Sequence, residues 1–134
     1  MNPQQEWEVK LLALVGWREA SDQDVPTKYW VMWSIRNRVS NPSWWGSSFA
    51  EVICKKLQYS SMTSPGDPNL TRWPIATDSS WTACLQIAQE VYDGQGVDPT
   101  SGATSYHNSS ITTSWDSSKV FIAKQGAFNF YREK

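Results

Sequence analysis

Two cysteines and one histidine are all the metal-ligating nitrogen and sulfur this chain offers. Cys54 and Cys84 stand far apart, and neither C-x-x-C nor H-E-x-x-H occurs. A protein-held metal is therefore not expected, and no motif calls for a cofactor. Both cysteines fall on helical patterns, so two buried thiols are expected rather than a disulfide. An excess of either charge is also lacking. Twelve Lys and Arg face 13 Asp and Glu, for a net charge of −1. Nucleic acid and anionic membranes favour basic partners, so neither is expected as a partner here. No apolar run approaches the ~20 residues that span a bilayer, and the apolar stretch Val9–Trp17 is far shorter. The opening MNPQQEWEVK lacks the charged-then-apolar order of an export signal. The chain is expected to be made in a cytoplasm and to need separate release for action outside it.

What is present is a folded chain of 134 residues, 40% hydrophobic and 19% charged. That length suits one domain spanning 1–134 with one real core. Nine tryptophans exceed the need of such a core, and several lie in polar stretches. Indoles pack, but they also stack on ligand rings, so an aromatic-lined groove is a second reading for the surplus.

Three helices announce themselves by their caps. Asn2-Pro3-Gln4-Gln5 forms a capping box with Pro at the first helical position. The residues Leu11–Val15 that follow are apolar on every face, which predicts a buried central helix fraying near Glu19. Asp24 and Pro26 open a second helix that ends before Pro42. Asp78 opens a third, with Trp81, Cys84, Leu85, Ala88, Val91 and Tyr92 on one face. Ser48 and Glu51 form a further capping box for a short helix. Residues 58–77 are broken by Pro65, Pro68 and Pro74 and read as a loop with no regular period. Phe128–Tyr131 reads as a strand.

Glu19 raises the chemical question. A carboxylate at a helix C-terminus meets the partial negative charge of free carbonyls, and apolar neighbours disfavour its ionisation. Both favour the protonated form that a general acid needs. Arg18 does not offset this, because adjacent helical residues face different directions. A surface glutamate at a frayed helix end is the plainer reading. His107 with Cys54 or Cys84 would make a cysteine amidase, but both thiols have core readings. A serine hydrolase lacks its G-x-S-x-G elbow. Polar residues beside aromatics in 58–63 and 100–114 fit sugar binding, with or without catalysis.

Five stretches, in order, resemble the cell-wall hydrolase family typified by the spore cortex-lytic enzyme SleB. They are Arg18-Glu19-Ala20, Asn37-Arg38-Val39, Gln58-Tyr59-Ser60, Gly102 through His107, and Gly126 through Tyr131. The resemblance implies an α+β lysozyme-like domain, mostly helical with a small β element. It implies cleavage of the β-1,4 bond between N-acetylmuramic acid and N-acetylglucosamine in peptidoglycan, with Glu19 as the catalytic acid. Gln58, Tyr59, Ser60, Thr104, Tyr106, His107 and Tyr131 fall on the motifs expected to bind substrate. A monomeric phage endolysin released by a holin fits the size. A non-catalytic glycan-binding module is the rival.

The chain departs from the family at two places. The second acid often found four residues on is Gln23, and the closing histidine is Phe128. Without a second acid the expected chemistry is lytic transglycosylation by Glu19 alone. Asp22, Asp24 and Asp78 remain candidates for activating water in a hydrolytic route.

Overall fold

Helix α1, Pro3–Ala20, is the axis of the computed structural model, which describes residues 1–134. Its capping box forms in both directions. Asn2 Oδ1 accepts from the Gln5 N–H at 2.9 Å, and Gln5 Oε1 accepts from the Asn2 N–H at 3.0 Å. Leu12, Ala13 and Val15 are fully buried against the surrounding helices. The expected fraying at Glu19 does not occur. Ser21 N–H donates to the Trp17 carbonyl at 2.9 Å, which holds the last turn through Ala20. Gly16 marks close packing instead, since a Cβ there would lie 2.3 Å from Met32 Cε.

Helix α2, Val25–Ser40, starts at the Asp24 cap, whose Oδ1 accepts from the Thr27 N–H at 3.0 Å. Helix α3, Phe49–Ile53, has half its expected box. Ser48 Oγ accepts from the Glu51 N–H, but the Glu51 carboxylate accepts from Ser47 N–H and Oγ instead of closing on Ser48. Val52 and Ile53 take the inward positions of this five-residue helix. Cys54 is left at its C-cap and is exposed, so only Cys84 is a buried thiol. Both cysteines are free.

Residues 58–77 are not structureless. They hold α4, Ser60–Thr63, and a 3₁₀ turn at Pro68–Thr71. Pro68 takes the first position of that turn, where a missing N–H breaks nothing. Helix α5, Ser79–Tyr92, opens at Asp78 and buries Cys84, Ile87, Ala88 and Val91 against α1 and α2. A cap of this kind contributes about 1 kcal/mol.

The β element is one antiparallel sheet in the order β1–β3–β2. Its strands are β1, Ser105–Asn108, β2, Val120–Gln125, and β3, Phe128–Arg132. Phe130, fully buried on β3, meets the Trp30 edge at 5.1 Å and ties the sheet to α2. The β2–β3 turn is clasped as well. Gln23 Oε1 accepts from the Ala127 N–H at 3.0 Å. Gly126 sits at φ +58°, and a Cβ there would stand 2.6 Å from Gln23 Oε1, so glycine alone fits. The whole is an α+β domain, mostly helical, with its core around α1. No helix is long and apolar enough to cross a membrane.

Candidate active site

Two adjacent residues of α2 build the frame of the site. Asn37 Nδ2 donates to the Asp98 carboxylate and to the Ala103 carbonyl, each at 2.9 Å. Arg38 Nε donates to the Thr104 carbonyl at 2.6 Å. These bonds draw the segment leading into β1 onto the helices, and β1 then faces the end of α1. This is the physical content of the Asn-Arg-Val stretch.

Between them lies a cleft of about 520 Å³. Glu19, half-buried in the last turn of α1, forms its floor with Tyr106 of β1. The Tyr106 hydroxyl donates to Glu19 Oε1 at 2.7 Å. Burial, then the Glu19 charge, push the Tyr106 phenol well above its ordinary range. Tyr106 therefore stays a donor wherever the protein is folded at ordinary pH. Tyr59 is buried beside it and is also pushed up, by burial first and by Glu19, against the opposing effect of Arg38.

Arg38 is 6% exposed and lines the cleft with no carboxylate paired to it. Its guanidinium donates to Gln58 Oε1 at 3.2 Å. It is caged by the rings of Trp45, Trp44 and Tyr59, with centroids at 4.9, 5.6 and 5.8 Å. Cation–π attraction to these rings, stronger where water is excluded, holds the charge in place. Arg18, next to Glu19 in sequence, points away and donates to the Arg72 and Ser61 carbonyls.

The opposite wall is built by His107. Its Nε2 lies 2.9 Å from Asp116 Oδ1 and 3.1 Å from the Tyr131 hydroxyl, and its Nδ1 lies 2.8 Å from the Asn108 carbonyl. The Thr113 hydroxyl also donates to Asp116. That hydrogen bond, with the His107 charge a lesser contribution, holds the Asp116 carboxyl below its ordinary range. These bonds pin the loop that presents Trp115, whose ring meets His107 at 5.3 Å. Thr104 is the one buried hydroxyl on the cleft left without a partner.

Of the residues singled out by sequence, Gln58, Tyr59, Thr104, Tyr106 and His107 come together with Glu19 around the cleft. Ser60 does not line it; it is exposed and donates to Asp67 at 2.6 Å. Tyr131 lies buried behind His107 rather than on the cleft surface. No cysteine lines the cleft, and His107 is engaged by oxygen partners, which leaves the cysteine amidase without its pair. Sequence reasoning missed Trp44 and Trp115 as individual site residues. Their signal was the surplus of tryptophan in polar stretches.

The family model described as Cell Wall Hydrolase matches residues 22–131. The chain belongs to that family. Peptidoglycan is the substrate that membership implies. The matched stretch begins just past Glu19, so the family assignment rests on the rest of the site. Two solved structures share the fold. One is the catalytic domain of the germination-specific lytic transglycosylase SleB from Bacillus anthracis, with a TM-score of 0.70 and 22% identity over 93% of each chain. The other is the catalytic domain of the Bacillus cereus SleB protein, with a TM-score of 0.68 and 22% identity over 98% of this chain and 93% of that one. No curated protein matches at a significant level. This cell wall hydrolase thus keeps the SleB fold at low sequence identity.

Proposed function

We propose that this hydrolase is a lytic transglycosylase that cuts the β-1,4 bond between N-acetylmuramic acid and N-acetylglucosamine. The observation that carries the proposal is that Glu19 is the only carboxylate lining the cleft. An inverting hydrolase needs a second carboxylate about 6.5–9.5 Å from the acid, and a retaining one needs it at about 5 Å. The three other candidates have different tasks. Asp24 caps α2, Asp78 caps α5, and Asp22 is exposed and accepts from Gln23. Gln23 itself clasps the β2–β3 turn.

Glu19 then does both proton transfers. As an acid it protonates the leaving glycosidic oxygen. As a carboxylate it takes the proton from the muramic C6 hydroxyl, whose oxygen closes on C1 to give the anhydro sugar. Tyr106 orients the carboxyl through both steps. In this reading the Gln58 amide on the cleft hydrogen-bonds the sugars, and Trp44 and Trp115 offer faces on which rings stack. A role in phage lysis belongs to the same proposal. It is tested by co-expression with a holin, where host cells should lyse only when both proteins are present.

The chemistry is tested by weighing soluble products of purified peptidoglycan. Anhydromuropeptides, one water lighter than hydrolytic products, are expected. Ordinary reducing ends that take up heavy oxygen from labelled water would show that a second group activates water.

A further inference from the structure

The cleft does not stand alone on its Trp44 side. Trp44 also lines a neighbouring groove of about 480 Å³, so one indole, 55% exposed, forms a wall of both. Beyond it the groove is lined by Trp45, Glu51, Cys54, Lys55 and Lys56. Lys55 and Lys56 are both exposed. The molecule's two ion pairs are His107–Asp116 and Lys119–Glu133, so neither groove lysine has a protein counter-charge. The groove's one carboxylate, Glu51, is turned into its own loop, where Ser47 N–H and Oγ each donate to it at 3.0 Å. Those bonds hold it below its ordinary range and leave it ionised. Two free ammonium groups against one engaged carboxylate leave the groove cationic.

The chain is bent to make this rim. Leu57, between Lys56 and the cleft residue Gln58, sits at φ +71°, a left-handed conformation uncommon for a branched residue. Leu57 is 77% exposed and lines the cleft. The turn at Leu57 therefore carries the chain from the lysine groove directly to the sugar cleft.

We propose that this groove binds the carboxylates of the peptide stem carried by the muramic acid being cleaved. The inference rests on the peptidoglycan reading above. Where every muramic lactyl group carries a stem, a glycan strand in the cleft is uncharged along its sugar backbone, and its free carboxylates lie on the stems. A stem leaving the cleft beside Trp44 brings acidic groups to the two lysines. The far end of the cleft offers no equivalent, because Lys119 is already paired with Glu133. Lys55 and Lys56 are thus specificity residues for stem-bearing substrate, remote from the bond that breaks.

The test compares soluble glycan strands bearing stems with the same strands stripped of stems by an amidase, the lactyl carboxylates so exposed then being capped as neutral methylamides. Wild type and the K55A/K56A double variant are assayed on both. Exposed ion pairs are individually weak, so KM for stem-bearing strands should rise about threefold to tenfold. The kcat and the activity on stripped strands should stay unchanged, and the difference should fade in high salt. An equal loss on both substrates, or no loss on either, would overturn the stem assignment while leaving the glycosidase reading intact. Failure of wild type to cut either strand would overturn both.

Discussion

The phenol of Tyr106 and the carboxyl of Glu19 meet at 2.7 Å, although 87 residues separate them in sequence. One comes from the last turn of α1 and the other from the first strand of the sheet. The bond ties the orientation of the Glu19 carboxyl to the docking of sheet on helices.

Replacing either partner should separate chemistry from positioning. Glu19→Gln should fold normally and lose about 10²–10⁴-fold in rate, the usual worth of general acid catalysis. Tyr106→Phe keeps the ring packed on Phe130 and removes only the hydroxyl. It should lower kcat about tenfold with KM little changed, as expected for loss of a hydrogen bond to a charged group. Muropeptide release by the purified variants checks both. A Glu19→Gln protein with a native circular dichroism spectrum and less than fivefold loss would end the assignment.

Asp78 distinguishes a cap from a catalytic carboxylate. Its Oδ1 accepts from the Ser80 and Trp81 N–H groups, and its Oδ2 accepts from Trp17 Nε1. Asn caps about as well as Asp. Asp78→Asn should therefore keep full activity, while Asp78→Ala should lose about 1–2 kcal/mol of stability by urea titration. A well-folded but inactive Asp78→Asn would restore the two-carboxylate route.

Three helices were readable because each carries its own start signal. Asn2, Asp24 and Asp78 all cap as their sequences indicate. These signals are local, and so the sequence contains them. The floor of the site was half-readable. Glu19 stood out at the end of an apolar helix, but its pairing with Tyr106 depends on the Asn37 and Arg38 bonds that deliver β1. No local pattern encodes such long-range bonds. Cys54 shows the opposite failure. The apolar pattern Val52-Ile53-Cys54 is real, but α3 ends one residue too early to bury the third member. Ser60 shares a motif with Gln58 and Tyr59, yet only those two line the cleft, while Ser60 faces solvent at the start of α4.

Thiol reactivity follows from that difference. Burial pushes both thiols up, Cys84 to about 11, but Cys54 is exposed to reagent and Cys84 is buried. A thiol reagent should modify one cysteine per native chain and two after denaturation. Cys84→Ala should retain specific activity, at a stability cost of about 1–2 kcal/mol for the lost packing. Two fast-reacting thiols in the native protein would contradict the core placement of Cys84.

Alkaline conditions should expose a shared weakness. The hydrogen bond to Glu90, then burial, push Tyr29 up to about 12. Burial, then the hydrogen bond to Glu8, push Tyr92 to about 12. Each phenol has a higher pKa folded than unfolded, so the folded state holds the proton longer. The associated stability is intact below pH ~10 and drains as pH rises toward 12. Cys84 adds the same sign of effect from about pH 9. Urea midpoints should be flat through neutral pH and fall above 9 to 10, and Tyr29→Phe should soften the fall. A midpoint unchanged to pH 11 would contradict these placements.

Strand β3 lies between β1 and β2, and β1 pairs with no other strand. Residues 128–132 are made after both of the strands they join. A growing chain on the ribosome therefore presents α1 and Glu19 long before β1 has anything to pair with. Tyr106 is expected to hold its place only when β3 has joined its neighbours, since β1 pairs with no other strand. A chain ending at Ala127 is expected to be lytically silent in a turbidity assay on permeabilised cells. Synthesis thus imposes an order of assembly on the cleft: Glu19 is made first, and its partner Tyr106 is held only once the strand made after both its neighbours has closed the sheet.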